Sequence, residues 1–218
     1  MRKFLVSIFV VCSLPGYAQT PPLNLATARI RPVGTLTMPE RKAAQMLSEE
    51  VQKRTRITWP IIQTMDHGPA PIIFLGTATN LSAAFTDVKL LLANDPNLRK
   101  PDGFHIHHIT YAGQDQIIVA GTDTRGVLFG VGKLLRSLNM DRDKVKLEAG
   151  FKFSSSPFHP LRGHQLGYRP KTNSYDGWNL AMWEQYIRDL VVFGANAVEL
   201  IPPKSDDAAD SPDRKSVV

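Results

Sequence analysis

The chain has 218 residues, 43% hydrophobic and 21% charged, with a formal charge of +6. These proportions are globular and exclude a collagen-like, extended disordered or multi-span membrane chain. At about 150 residues per domain the length predicts one or two domains, and it falls short of the about 250 residues typical of a complete (β/α)₈ barrel enzyme.

The N-terminus reads as a signal peptide over residues 1–18. Arg2 and Lys3 are its basic segment, Phe4 to Leu14 an apolar run too short to span a bilayer, and Gly16-Tyr17-Ala18 a small-residue cleavage site. Cleavage after Ala18 removes two basic residues and no acid, which lowers the charge to +4, and removes Cys12, the one cysteine. A mature chain starting at Gln19 has no thiol chemistry and rests on its core for stability. The expected destination is the periplasm or the outside of a bacterial-like cell, with no membrane association after cleavage.

Residues 19–35 are rich in Pro and small side chains and read as a lead-in with one edge strand. Thr37-Met38-Pro39-Glu40 is a capping box. The helix it opens carries Ala43, Ala44, Leu47 and Val51 on one face, with Glu40, Lys42, Glu49, Glu50 and Lys53 mostly on the other. Pro60 is expected to end it, with a short strand around Ile57. Pro71 to Gly76 is a continuous apolar run that predicts a buried strand. A second helix is expected from Phe85 to Ala93, stopped by Asn94-Asp95-Pro96.

Gly103 to Thr110 and Gln116 to Gly121 read as two strands of a hairpin, turned by Ala112 to Asp115. The next helix places Val127, Leu128, Val131, Leu134, Leu135 and Leu138 on one stripe. Gly121 and Gly126 bracket the turn into it, and Thr122, Asp123 or Thr124 is the expected cap. Arg125 is expected to pair locally. The glycine spacing is not that of a dinucleotide loop, and no Lys follows Gly126 as a P-loop requires.

Residues 141–158 are polar and then Ser/Pro-bearing, which sets a domain boundary near Ser154. The expected organisation is an α+β domain with a mixed sheet over 19–153 and a second domain over 154–212. In the second, Leu161 to Gln165 reads as a strand. A helix then carries Trp183, Tyr186, Ile187, Leu190 and Val191 and ends at Gly194, and Ala197 to Ile201 reads as the next strand. Strand, helix, strand is one βαβ unit.

Two stretches resemble a known group of enzymes. The segment Ile117-Ile118-Val119-Ala120-Gly121-Thr122-Asp123-Thr124-Arg125-Gly126-Val127-Leu128-Phe129-Gly130 resembles the closing strand and helix of the small α+β domain that precedes the barrel in bacterial family 67 α-glucuronidases. Related domains precede the barrel in family 20 and family 84 hexosaminidases. Pro71 to Thr77 and Gly103 to Ile106 fit the same domain. Leu161-Arg162-Gly163-His164 and Trp183 to Pro203 resemble the first strand, first helix and second strand of the catalytic barrel. The resemblance covers residues 35–203. It implies the N-terminal part of an exported glycoside hydrolase acting on glucuronides or hexosaminides, with the first βαβ unit of a (β/α)₈ barrel. The alternative is a non-catalytic module that binds carbohydrate or a partner protein.

Four residues are candidates for substrate contact. Arg162, read as lying at the end of the first barrel strand, has the planar fork of donors that suits sugar hydroxyls or a carboxylate. By resemblance to family 20 it takes a sugar-contacting role, and the competing reading is a salt bridge between the two domains. Glu199 alternates with Val198 and Leu200 and is either a ligand contact or a structural ion pair. His164 is either a hydroxyl partner or a buried, satisfied histidine. Trp178 in the loop offers a ring for stacking on sugars, as does Tyr168, whereas Trp183 reads as core. The Pro203-Lys204, Asp206-Asp207 stretch resembles a family 84 loop interrupted by Ser205, and reads as a solvated acidic loop.

Glycosidases work with two carboxylates about 5–10 Å apart, or with one acid and a substrate group. No such pair is recognised here, and no catalytic residue is assigned. The resemblance puts those carboxylates on later strands, so this chain by itself is expected to be inactive. No cofactor is expected. His105 and His107 share a strand face. With Phe104 and Ile106 on the opposite side, that face is expected to be the outer one, and with His108 they read as exposed histidines rather than a zinc site. Basic and acidic residues interleave, which argues against a nucleic-acid partner. The expected partner is a carbohydrate substrate, and oligomeric state is left open. Asp213 to Val218 does not read as a barrel loop and is expected to be a non-native tail, which would bring the charge to +3.

Overall fold

The run Ile72-Ile73-Phe74-Leu75 is buried along its whole length, so the sheet that holds it needs cover on both faces. The computed structural model describes residues 20–64, 68–166 and 174–200. In chain order these form β1 (Leu23–Asn24), β2 (Arg29–Pro32), α1 (Met38–Thr55), β3 (Ile72–Thr77), α2 (Ala78–Ala84), α3 (Thr86–Leu92), β4 (Phe104–Tyr111), β5 (Gln114–Gly121), α4 (Thr124–Ser137), β6 (Asn139–Asp141), β7 (Lys144–Leu147), β8 (Lys152–Ser155), β9 (Gly163–Leu166), α5 (Leu180–Val192) and β10 (Ala197–Leu200). The signal-peptide reading, Tyr168, the acidic loop at 204–207 and the tail at 213–218 fall outside the described residues.

The main sheet has five strands in the order β2-β3-β5-β4-β8. Strands β2, β3 and β5 are mutually parallel, and β4 runs antiparallel to both β5 and β8. This is the mixed sheet of an α+β fold. Alternation sends Ile73, Leu75, Ile106, Ile117 and Val119 to one face, under α1 and α4. Ile72, Phe74, Ile118 and Ala120 go to the other, where Leu81, Val88 and Leu92 of α2 and α3 cover them. Each such Ile, Val, Leu or Phe, fully buried, stabilises by about 1.5–3 kcal/mol. A smaller antiparallel sheet, β1-β7-β6, packs beside α1 and adds Val145 and Leu147 to the core.

The capping box forms as read: the Thr37 backbone N–H and hydroxyl both donate to Glu40, at 2.9 and 2.7 Å. Helix α1 stops at Thr55, earlier than Pro60, because Arg56 takes a left-handed conformation (φ 68°) and its N–H closes on the Gln52 carbonyl. The strand expected around Ile57 is not there; Ile61 instead bridges to Ile30. The face expected to be polar is also divided. Glu40 and Glu50 are buried, the first by its cap and the second by cations from two helices.

Four further elements escaped the pattern. Helix α2 begins directly after β3, capped by the Thr77 hydroxyl accepting from the Asn80 N–H. Strand β6 runs into, and β7 and β8 lie within, the segment read as polar; each is only three or four residues long, too short for a period to show. The second helical layer buries His105, which is 2% exposed, against the expectation of an outer face. His105 sits opposite Ala120 in the β4–β5 register and therefore faces α2, α3 and the 3-10 turn Pro96–Arg99. Its ring bonds the Asp95 carboxylate, which also accepts from the Ser154 hydroxyl.

Helix α4 comes close to its neighbours because three of its residues lack a side chain. A Cβ on Gly126 would stand 2.3 Å from the Gly103 carbonyl oxygen, one on Gly130 2.9 Å from a Val119 methyl, and one on Gly132 2.7 Å from the Val192 carbonyl oxygen of α5. Among the expected caps it is Asp123 that serves, accepting from the Gly126 N–H at 2.8 Å. No helix among the described residues is long and apolar enough to cross a membrane.

Candidate functional site

Strands β9 and β10 pair in parallel, with His164 opposite Val198 and Gln165 opposite Glu199. Helix α5 connects them and covers one face, since Val198 lines a cavity with Ile187 and Leu190 of α5. Alternation then sets Gln165 and Glu199 side by side on the opposite face, where both are exposed. His164 is on the α5 side and hydrogen-bonds the Tyr186 hydroxyl through Nδ1. Burial raises the Tyr186 pKa, so the phenol keeps its proton and is available as a donor.

Tyr186 also joins a cluster of rings. The Trp178 centroid lies 5.0 Å from Trp183 and 5.1 Å from Tyr186, and Tyr175 edges the group at 6.4 Å. Two residues read separately from the sequence, His164 and Trp178, are thereby linked through Tyr186. Trp178 is half-buried in this cluster and Trp183 is part of it too.

Arg162 stands apart from both groups. The first strand of the unit begins at Gly163, so Arg162 precedes it rather than closing it. It lies at the N-terminal ends of the parallel pair, where its carbonyl accepts from the Asn196 N–H at 2.9 Å. Its guanidinium donates to the carbonyls of Gly194 and His159, each at 2.8 Å, and to Asp102 Oδ2 at 2.8 Å. It also lies over the Phe129 ring, 5.0 Å from the centroid.

Asp102, which sequence reasoning missed, is therefore the centre of a joint. It is 2% exposed and holds a left-handed backbone (φ 60°) in the turn before β4. Its N–H donates to Asp123, the cap of α4. Arg125 Nε comes within 2.8 Å of Oδ1, off the donor angle, so that oxygen has no aligned hydrogen bond and the contact is electrostatic. The local pairing expected of Arg125 is with this residue. The signal available in the sequence was only Asp-Gly in a turn, a pattern shared with countless surface loops.

A second joint ties α5 to α1. Arg188 reaches Glu49 at 2.7 Å and Glu50 at 3.4 Å, Lys53 donates to Gln185 at 2.9 Å, and Gln185 donates to Glu50 at 3.3 Å. Burial raises the Glu50 pKa, but bonds from Arg54 and Gln185 and the charge of Arg188 outweigh it and hold the carboxyl below its ordinary value. Between the joints, Val191 and Val192 pack against the main core.

No family model matches the chain, and no curated protein matches it. Solved structures do, glycoside hydrolases among them. A family GH115 4-O-methyl-α-glucuronidase, BtGH115A, with specificity for decorated arabinogalactans, aligns at 16% identity and TM-score 0.56 over 82% of this chain and 25% of its own. The structure of CpGH84B aligns at 18% and 0.56, over 86% and 28%. The GH20 β-N-acetylhexosaminidase of Streptomyces coelicolor A3(2) aligns at 17% and 0.54, over 82% and 31%. The likeness is one of fold: the described residues are folded like a part of these glycoside hydrolases. The chain spans a quarter to a third of the length of these structures.

Proposed function

We propose that the chain is the N-terminal part of an exported glycoside hydrolase: a signal peptide over 1–18, an accessory α+β domain over 19–153, and the first βαβ unit of a catalytic (β/α)₈ barrel over 154–212. The observation that carries this reading is the face of the β9–β10 pair opposite α5, on which Gln165 and Glu199 are exposed. A parallel pair has helices or further strands on both faces, and here one face carries α5 while Gln165 and Glu199 stand open on the other. Closing that pair into a barrel turns this face inward, where Glu199 becomes a sugar contact. The α-glucuronidase and hexosaminidase neighbours make glucuronides or N-acetylhexosaminides the proposed substrates. Trp178 and His164 support the loop side of the same unit, and Arg162 orients it on the accessory domain.

The test is hydrolysis of aryl glucuronides and aryl N-acetylhexosaminides by the product of the complete coding sequence and by residues 19–218. The complete product should turn over one class and the 218-residue chain neither; turnover by the chain alone would sink the proposal. The second reading is a non-catalytic carbohydrate- or protein-binding module, favoured by a five-stranded sheet already covered on both faces. Glycan retention by a chain ending after Pro157, equal to that of the whole chain, selects it. N-terminal sequencing of the exported protein should begin at Gln19.

A further inference from the structure

Between α4, β8 and the turn after α5 lies a cavity of about 230 Å³ whose walls are aromatic and whose polar groups are mainly cationic. Lys133 Nζ is held over the Phe153 ring, 4.1 Å from its centroid, and Arg136 over the Phe193 ring at 5.2 Å. The two cations are three residues apart on α4 and so share a face. Among the described residues neither has a carboxylate within ion-pair distance. Arg162 adds a third cation to the wall, and the one acid present, Asp102, is already engaged by Arg162 and Arg125.

We propose that this cavity is a binding site for a small oxyanion, a carboxylate or phosphate group borne by a molecule no larger than a monosaccharide. Ring faces hold the cation heads in place without neutralising them. A cleft with apolar walls concentrates their unbalanced positive potential, and Lys and Arg together offer charge-assisted donors to an anion. The exposed Phe193 ring supplies apolar surface against which C–H groups of a sugar acid would lie. The bound anion would bridge the α+β domain to the βαβ unit, because Lys133 and Arg136 belong to one and Phe193 to the other. The site stands whether or not the chain acts on glycosides.

Isothermal titration of the full chain at low ionic strength with D-glucuronate, inorganic phosphate and D-glucose tests it. Saturable binding of glucuronate or phosphate, with none of glucose, is expected. Tighter glucuronate identifies a sugar acid as the ligand class, and tighter phosphate a free or esterified phosphate. The K133Q/R136Q double variant should bind at least about tenfold more weakly, with each single variant intermediate. Both heads are at the surface end of their side chains, and circular dichroism checks that the variants fold. Absence of binding by either anion, equal binding of glucose, or unchanged affinity in the folded double variant would each overturn the proposal.

Discussion

Arg162 and Asp102 meet at 2.8 Å across the joint between the βαβ unit and the α+β domain, with side chains 21% and 3% exposed. One carboxylate thus gathers three elements: the turn before β4, the start of α4 through Arg125, and the start of β9 through Arg162. Arg162 occupies the N-terminal end of the parallel pair, the end that in the proposed barrel serves stability rather than chemistry.

Asp102→Asn is expected to destabilise the protein by about 3 kcal/mol, the lower end for breaking a buried pair, because Arg162 keeps some contact with water. Asparagine tolerates the left-handed backbone at this position, so the loss reports charge rather than strain. Urea unfolding measures it, and an unchanged midpoint would remove Asp102 from the joint.

Gly132→Ala sets two effects against each other. Helix propensity favours alanine by about 1 kcal/mol. The new Cβ would stand 2.7 and 2.9 Å from the Val192 carbonyl oxygen and Cα, backbone atoms that cannot turn aside, and overpacking costs about 1–3 kcal/mol. Packing should win. Hydrogen exchange in α5 should accelerate while β3 and β5 keep their protection, and a stabilised variant would contradict the close α4–α5 approach.

Asp95 should make the protein acid-sensitive. Burial raises its pKa, but hydrogen bonds from Ser154, His105 and the Asn97 N–H outweigh that and hold it below the ordinary carboxylate value. A depressed carboxyl stabilises above its unfolded pKa of about 3.9, and the contribution is lost as pH falls through the folded value. Asp95→Asn should cost about 1.5–3 kcal/mol at pH 7 and flatten the dependence of the urea midpoint on pH below 4. An equally steep dependence in the variant refutes this.

His107 acts in a higher window. Its pKa is lowered, first by desolvation and then by the charges of His105, Lys152 and His108. The unfolded chain then binds its proton at higher pH than the folded one does. Stability is full above the unfolded value of about 6.5 and declines as pH falls through the folded one. His107→Gln should remove the part of that decline that begins near pH 6.5, read from thermal midpoints between pH 5 and 8.

Glu199→Gln should leave the unfolding midpoint unchanged, because the side chain is exposed. Under the proposed function, it should raise KM for the preferred glycoside in the product of the complete coding sequence. A change in stability without a change in KM would assign Glu199 a structural role.

Local pattern was enough for the elements with a strong period or a cap. The stripe from Val127 to Leu138 specifies α4, Thr37 and Glu40 specify the start of α1, and the apolar run at 72–75 specifies a doubly covered strand. The hairpin was also legible, though its turn is the two residues Ala112 and Gly113, both with positive φ (48° and 79°), rather than four. Short strands such as β6 to β8 carry too few residues for a period to show.

By itself, the sequence determined the α+β class and the βαβ unit and marked the side chains proposed to contact a sugar, because these follow from periodicity and chemistry within a few residues. Tertiary structure alone decided which of those side chains meet. Burial of His105 needed α2 and α3 above it. The pairing of Arg162 with Asp102 needed residues 60 positions apart to meet, and the separation of Glu199 from His164 needed the placement of α5. Side-chain partners are set by which faces pack, and no local pattern encodes that.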